Sequence, residues 1–467
     1  MIYRAFAFIK NSDIHLIFSI ILKDISISAR RFLSIILLIS GSFAWFLLYQ
    51  FYLDNIFINF TQNLFWIEIG KILFYGFGFF SAIIGFILSK RVNQRTILWT
   101  WITLGVISSA LIALFHGQEF TIIFGILLGF SFGLGLPSSL AFLADSTTIE
   151  ERGRVSGLTI FATFLLAFFT LVIISLLGSG ILLMIFFAVT LRSVAFLALI
   201  IDKSPKKEYA INELEKWMSS LAEKQKSEVA VIAGEKTFTP LELIEASKDK
   251  KNPYGKDIIN MFNNYRIELD KKKNSFLIRV GLKEFSYYLF PFVIFVLVSA
   301  FVWNFFSQNV AHLFAITLVT IVHYLFIAIF GFIWGILIDR IGRKNPLIIG
   351  ITILSIIFVL FSFSISQTIL LIYLLASGIA WALFLTTYIC IPADLSVYGL
   401  REKFYTLITV LPLIVLFFLS ILDLLTITNI PVVYLFQILS LILFISLIPL
   451  LKAKETIHKS KNILKKN

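Results

Sequence analysis

The residues of this chain best placed to do chemistry are charges at the ends of apolar runs, and the chemistry they suit is reversible ion pairing. Gly335, Asp339, Arg340, Gly342, Arg343 and Lys344 fall within ten consecutive positions of the form G-x-x-x-D-R-x-G-R-K, between two long apolar stretches. A second constellation occurs twice. Ala144-Asp145 is followed by Arg152 and Ala393-Asp394 by Arg401, with seven residues from Asp to Arg each time. Carboxylates and guanidiniums at a water-facing rim make charge-assisted hydrogen bonds worth roughly a kcal/mol or a few each, weak enough to be remade in a cycle. Enzymatic chemistry has no such footing: the chain contains no G-x-S-x-G, no H-E-x-x-H and no paired carboxylate inside an apolar run. Cys390 is the only cysteine and the five histidines lack metal-ligand spacing, so no disulfide, metal or other cofactor is expected.

The elements that must position these charges are membrane helices. Hydrophobic residues make up 59% of the chain against 14% charged, and mean hydropathy is +0.93, more apolar surface than a water-soluble domain can hide. Apolar runs lie near 32–54, 66–88, 96–115, 120–143, 155–178, 181–201, 285–306, 313–338, 346–364, 368–392, 404–425 and 431–450. Short loops on one side carry Lys90, Arg91, Arg95, Arg152, Arg154, Arg340, Arg343, Lys344, Arg401 and Lys403; those on the other carry no Lys or Arg. Cationic short loops stay in the cytoplasm, so both termini are expected there, in a multi-pass plasma-membrane protein. The net charge of +13 then reflects lipid headgroups and topology, and no nucleic-acid partner is expected. Residues 1–31 read as an amphipathic cytoplasmic lead-in without a cleavage site, and 452–467 as a basic tail.

The spans repeat as two sets of six, 32–201 and 284–451. Gly85 matches Gly335, Gly129 matches Gly378, and Phe43-Ala44-Trp45 with Gln50 matches Phe301-Val302-Trp303 with Gln308, in chain order. Such a duplication predicts two like-oriented bundles about an axis along the membrane normal. The polar, Lys- and Glu-rich stretch 202–283 between them is expected to hold two or three helices, one starting at Thr239-Pro240-Leu241-Glu242, with a capping Thr and Pro at the first position. It reads as a tether that lets the halves rock, or as a regulatory segment.

Taken with its flanks, the Gly335–Lys344 stretch resembles the cytoplasmic hairpin of the major facilitator superfamily. That resemblance implies an all-α integral membrane fold of twelve transmembrane helices in two six-helix bundles with pseudo-two-fold symmetry. It also implies a cytoplasmic latch that includes Gly335, Asp339, Arg340, Gly342, Arg343, Asp394 and Arg401, with Gly85, Arg91, Asp145 and Arg152 in the first half. Asp339 is expected near the N-terminus of the eleventh helix, where unpaired N–H groups favour an anion, and Arg343 within reach of Asp394. The first half departs from the pattern, because Ser89 stands where the Asp is expected and Val92-Asn93 replaces Gly-Arg. There Lys90, Arg91 and Arg95 are the cations that Asp145 could meet.

The resemblance further implies that helices 1, 4, 7 and 10 line a central path. Candidate cavity residues on them are Trp45, Gln50, Ser138, Trp303, Asn304, Gln308, Trp381, Thr387 and Tyr388. Trp45 and Gln50 stand about 140° apart on a helical wheel, so at most one faces squarely inward. Aromatic plates with neutral amides and hydroxyls suit a neutral polar solute such as a sugar, or an amphipathic compound. The same residue types also form interfacial belts and pack helices. Intramembrane charge is scarce. Arg192 lies about 15 Å inside the sixth span, either a functional cation or one that snorkels or bonds helix carbonyls. Glu68, paired with Lys71 at the outer edge, and His323 are the other candidates for coupling to an ion such as a proton.

These readings converge on a monomeric secondary or facilitative transporter of a small organic solute working by alternating access, a neutral polar substrate leading. The alternatives are efflux of amphipathic compounds and a transporter-like sensor signalling through the central loop.

Overall fold

A bilayer offers a peptide group no hydrogen-bond partner, so a chain this apolar must satisfy its backbone within helices. The structure, a computed structural model, describes residues 27–89, 91–147, 149, 151–178, 180–201, 223–227, 231–233, 236–248, 276–278, 282–309, 316–363, 367–396, 401–424 and 432–456. The lead-in upstream of residue 27 and the tail beyond 456 lie outside them. Six helices build the first half: α1 (Ala29–Ile58), α2 (Leu64–Ser89), α3 (Gln94–Leu111), α4 (Glu119–Ser146), α5 (Arg152–Leu177) and α6 (Ile181–Ile201). Six more build the second: α7 (Leu282–Asn309), α8 (Ile316–Ile341), α9 (Lys344–Phe363), α10 (Gln367–Leu395), α11 (Arg401–Leu424) and α12 (Val432–Lys452). Eleven of the twelve are long and apolar enough to cross a membrane, and α9 adds the shorter apolar stretch Lys344–Leu360.

Packing repeats between the halves as the sequence repeat predicts. Helix α1 lies on α6, α2 on α4 and α3 on α6; correspondingly α7 lies on α12, α8 on α10 and α9 on α12. Among the described residues the two most extensive seams between the bundles are α5 on α8 and α2 on α11, which the pseudo-two-fold exchanges; α4 also packs on α11 and α5 on α10. At the first seam the backbones nearly touch. A Cβ added to Gly157 would sit 2.5 Å from the Gly335 Cα, so only glycine at both positions permits this approach. Gly85, the repeat counterpart of Gly335, does not mirror it; it faces the Leu134 carbonyl of α4 inside its own bundle.

Two local features shape the end that carries Asp339. Gly342 closes α8 with φ +103° and donates its N–H to the Ile338 carbonyl at 3.2 Å, a left-handed cap that turns the chain at once into α9. Helix α4 is interrupted at Leu134–Gly135, and Pro137 in the first turn of its second piece has no N–H to give. Carbonyls freed there find other donors: Trp101 Nε1 bonds the Phe132 carbonyl at 2.9 Å and Arg192 Nη2 the Ser131 carbonyl at 3.1 Å.

In the central stretch the expected capping box forms, with Thr239 and Glu242 exchanging backbone and side-chain bonds (2.7 and 3.3 Å) at the start of helix Pro240–Lys248. A short helix, Glu223–Lys226, precedes it. Three short strands, Val231–Ala233, Lys236–Phe238 and Phe276–Ile278, pair in an unforeseen sheet whose centre is Val231–Ala233.

Candidate functional site

The charges singled out in the sequence converge where α4, α5, α8, α10 and α11 meet. Asp339 sits on the last turn of α8. Its carboxylate accepts the backbone N–H groups of Gly153 and Arg154, each at 2.8 Å, together with Arg154 Nε at 3.4 Å and Arg343 Nη1 at 2.8 Å. Gly153 and Arg154 open α5, so the acid occupies a helix N-terminus as expected, but that of the fifth helix in the other bundle and not the eleventh. The reason is the seam: Gly335, one turn earlier, brings α8 against α5.

Arg343, in the turn after α8, is fully buried. Its Nε reaches Asp394 at 3.1 Å, as expected, and its Nη2 reaches the Ile149 carbonyl of the first half at 3.0 Å. Burial opposes its charge, but the Asp394 and Asp339 carboxylates outweigh that and hold its pKa above the ordinary guanidinium value. Asp394 also pairs with Arg152, and Asp145 pairs with Arg401. Each half thus lends its acid to the other half's arginine. Asp145 meets Arg401; of the first-half cations proposed for it, Arg91 is exposed, Arg95 bonds the Leu199 carbonyl at 2.7 Å, and Lys90 lies outside the described residues. Arg340 is exposed as well.

The cluster is dry. Side-chain exposure is 1% for Arg152, 0% for Arg343 and Asp394, and 5% for Asp339. The expectation of contacts near water, worth roughly a kcal/mol or a few each, is corrected in one respect: these pairs are buried, so removing one partner strands the other and costs about 3–5 kcal/mol. Three participants were not foreseen. Arg154 bonds Asp339, the Glu455 carboxylate caps α9 through the N–H groups of Arg343 (2.7 Å) and Lys344 (3.0 Å), and Thr456 donates to Asp394 at 3.1 Å. Nothing in their spacing distinguishes them from ordinary loop residues. Ser138 also belongs here; its hydroxyl donates to Glu402 of α11 at 3.1 Å, placing it in the seam and not in an open cavity.

The remaining cavity candidates separate. Trp45 is fully buried and faces α3 and α6, giving its N–H to Ser109 at 2.8 Å, so it belongs to the core of its own bundle. Gln50 is exposed, on the α1 face shared with Phe43, Leu47 and Asp54. In the second half an aromatic ladder joins α7 to α10: Phe295 meets Trp381 at 4.7 Å and Phe384 at 3.9 Å, and Phe292 stacks on Tyr388 at 4.2 Å. Tyr388 is itself buried, with its hydroxyl bonded to the Tyr288 carbonyl. Thr387 is buried with no hydrogen-bond partner among the described residues. Trp303 is half-buried, 6.3 Å from the His323 ring; the side chains of Asn304 and Gln308 lie outside the described residues.

Of the three ion-coupling candidates, His323 is buried within its own bundle, bonded to the Leu374 backbone, with Nδ1 unpartnered among the described residues. Glu68 pairs with Lys71 at 2.7 Å, and Lys71 also reaches Asp54 at 3.1 Å, far from the Asp339 cluster. Arg192 points into the first bundle. It donates to the Trp101 and Ser131 carbonyls at 3.0 and 3.1 Å and lies between the rings of Trp45 (5.0 Å) and Trp101 (3.9 Å), the carbonyl-bonded arrangement of its two readings.

Comparison with known proteins agrees with this architecture. The proton:xylose symporter XylE bound to 6-bromo-6-deoxy-D-glucose superposes with a TM-score of 0.65 at 13% identity, over 91% of this chain and 96% of that one. The human organic anion transporter MFSD10 (TETRAN) does so with a TM-score of 0.62 at 13% identity, over 90% and 99%. At such identities these likenesses concern the fold. No curated protein matches the sequence significantly. The profile of the sugar (and other) transporter family, however, matches residues 61–463, from the loop after α1 through α12. The chain is a multi-pass membrane transporter of the major facilitator superfamily and belongs to the sugar (and other) transporter family.

Proposed function

We propose that this protein moves a small neutral polar solute of sugar type across the membrane by alternating access, with the Asp339 cluster as the gate that closes its cytoplasmic end. The observation that carries this reading is the reciprocal exchange of Arg152–Asp394 and Arg401–Asp145 between the two bundles. Ion pairs exchanged between the two halves suit a closure that the halves make and break as they move against each other. Among the described residues the bundles meet along α5–α8 and α2–α11 and also through α4–α11, α5–α10 and α4–α10, whereas α1 and α7 make at most slight contact. Contacts of α4, α10 and α11 at the end that carries the Asp339 cluster suit a path shut there. The cations of the short loops orient that end to the cytoplasm. Family membership favours a sugar-like substrate, and the Trp381–Phe295 ladder beside α7 offers the aromatic wall on which a pyranose face can rest.

The test is entrance counterflow. Purified protein in liposomes preloaded with unlabelled aldohexoses, aldopentoses or polyols should take up the labelled form of one of them saturably. Uptake of amphipathic organic anions or cations, with none of any sugar, would replace this reading by efflux. Substrate binding without counterflow of any compound would point to a sensor. Repeating the assay with and without a pH gradient decides whether a proton is coupled.

A further inference from the structure

The two seams between the bundles are equivalent by symmetry but not by sequence. At the α5–α8 seam, Asp339 at the end of α8 takes the first N–H groups of α5. The corresponding position at the end of α2 is Ser89, which carries no charge, and α11 begins with Arg401 and Glu402, the counterparts of Arg152 and Gly153. An acid is therefore missing from one partner of the second seam and present on the other, where the first seam has glycine.

We propose that Glu402 supplies the gate acid of the α2–α11 seam, replacing from α11 the carboxylate that α2 lacks, so that the acids at the two helix starts of the seams, Asp339 and Glu402, both come from the second bundle. The Glu402 side chain crosses to the first bundle, where Ser138 donates to it at 3.1 Å and the Ser89 hydroxyl is also within hydrogen-bonding reach. It lies in the first turn of α11, where the helix dipole favours negative charge as it does for Asp339 at α5. It also sits next to the Arg401–Asp145 pair, in the same relation that Gly153 has to Arg152–Asp394. Glu402 is a positioning residue that touches no substrate. The assignment rests on the gate reading above, and the test separates the two.

Cys390, the chain's only cysteine, is fully buried against Ser156 of α5 at 3.5 Å, so its labelling by a small membrane-impermeant thiol reagent from the cytoplasmic face reports gate opening in the native protein. Glu402→Gln should raise that labelling rate roughly tenfold, the effect of losing one charge-assisted hydrogen bond. Glu402→Gly should do the same. Adding Ser89→Asp to Glu402→Gly rebuilds at this seam the residues of the other one, and should return the rate to within about threefold of the native value, a residual loss no larger than one ordinary hydrogen bond. Rescue by an acid placed on the opposite helix is not expected if Glu402 merely packs. Unchanged labelling in Glu402→Gln, or a double variant no better than Glu402→Gly, overturns the assignment. Asp339→Asn is the control: if it leaves Cys390 protected while Glu402→Gln does not, the gate reading fails at Asp339, and if neither variant exposes Cys390 both inferences fail.

Discussion

Replacing Asp339 by Asn tests the gate at its most connected acid. The carboxylate accepts three hydrogen bonds at 2.8 Å and one at 3.4 Å, two of them from backbone N–H groups at the start of α5. An amide offers one oxygen, turns an NH2 toward the remaining donors and leaves Arg343 without one of its two carboxylates. Removing one partner of a buried pair costs about 3–5 kcal/mol, and nearly all of it falls on the closed state, because in the open state water takes over the same donors. At 1.4 kcal/mol per factor of ten, the closed-to-open ratio should fall by roughly two to three and a half orders of magnitude. Ser89→Ala removes a hydroxyl that also bonds the Phe86 carbonyl at 2.8 Å, which amounts to about 1 kcal/mol and a several-fold change. Hydrogen exchange resolved to the peptide containing Gly153 and Arg154 reads the closed state directly, and counterflow reads its consequence. Asp339→Asn should expose those amides and abolish counterflow while the protein still inserts, whereas Ser89→Ala should leave counterflow near native. Unchanged exchange at 153–154 in Asp339→Asn, or equal effects of the two substitutions, would refute the reasoning.

Three further outcomes are expected. Gly157→Leu should wedge α5 from α8 and abolish counterflow, since a Cβ there already meets the Gly335 Cα at 2.5 Å; Gly180→Ala, with nothing within 4 Å, should be neutral in the same assay. Glu455→Ala removes the cap on α9 and should cost about 1 kcal/mol, seen as a lower thermal midpoint in detergent. Arg192→Leu leaves the Ser131 carbonyl without its donor, at about 1–3 kcal/mol, and removes a second bond to the Trp101 carbonyl, so the thermal midpoint should fall; a rise would show that the buried charge costs more than its bonds return.

The sequence carried the helices and the charged cluster because both depend on local rules. An apolar run of membrane length must be helical, and the Asp–Arg spacing of seven, repeated with Gly335 and its neighbours, marks the rim of two like bundles. What spacing cannot state is which bundle a side chain reaches. The sequence pattern points Asp339 to the start of α11 and Asp145 to the first-half cations, whereas they meet the start of α5 and Arg401, because one repeat pattern fits pairing within a half as well as between halves. The cavity was harder still for a different reason. A membrane helix is apolar toward lipid, toward its bundle and toward an aromatic wall alike, so amphipathicity does not orient it. Trp45 and Tyr388 thus turned out to be core residues, and Ser138 part of a seam.

The interruption in α4 has a mechanical side. Trp101 and Arg192 hold the two carbonyls that the helix gives up there, and the guanidinium is clamped between two indoles, so the joint at 134–135 is splinted from α3 and α6. Its counterpart α10 runs unbroken from Gln367 to Leu395. A pull on Asp145 or Ser138 as the seams part would therefore not bend the first bundle at its weakest point but would be passed to its periphery. The two halves would turn as stiff levers, one made so by an uninterrupted rod and the other by a brace.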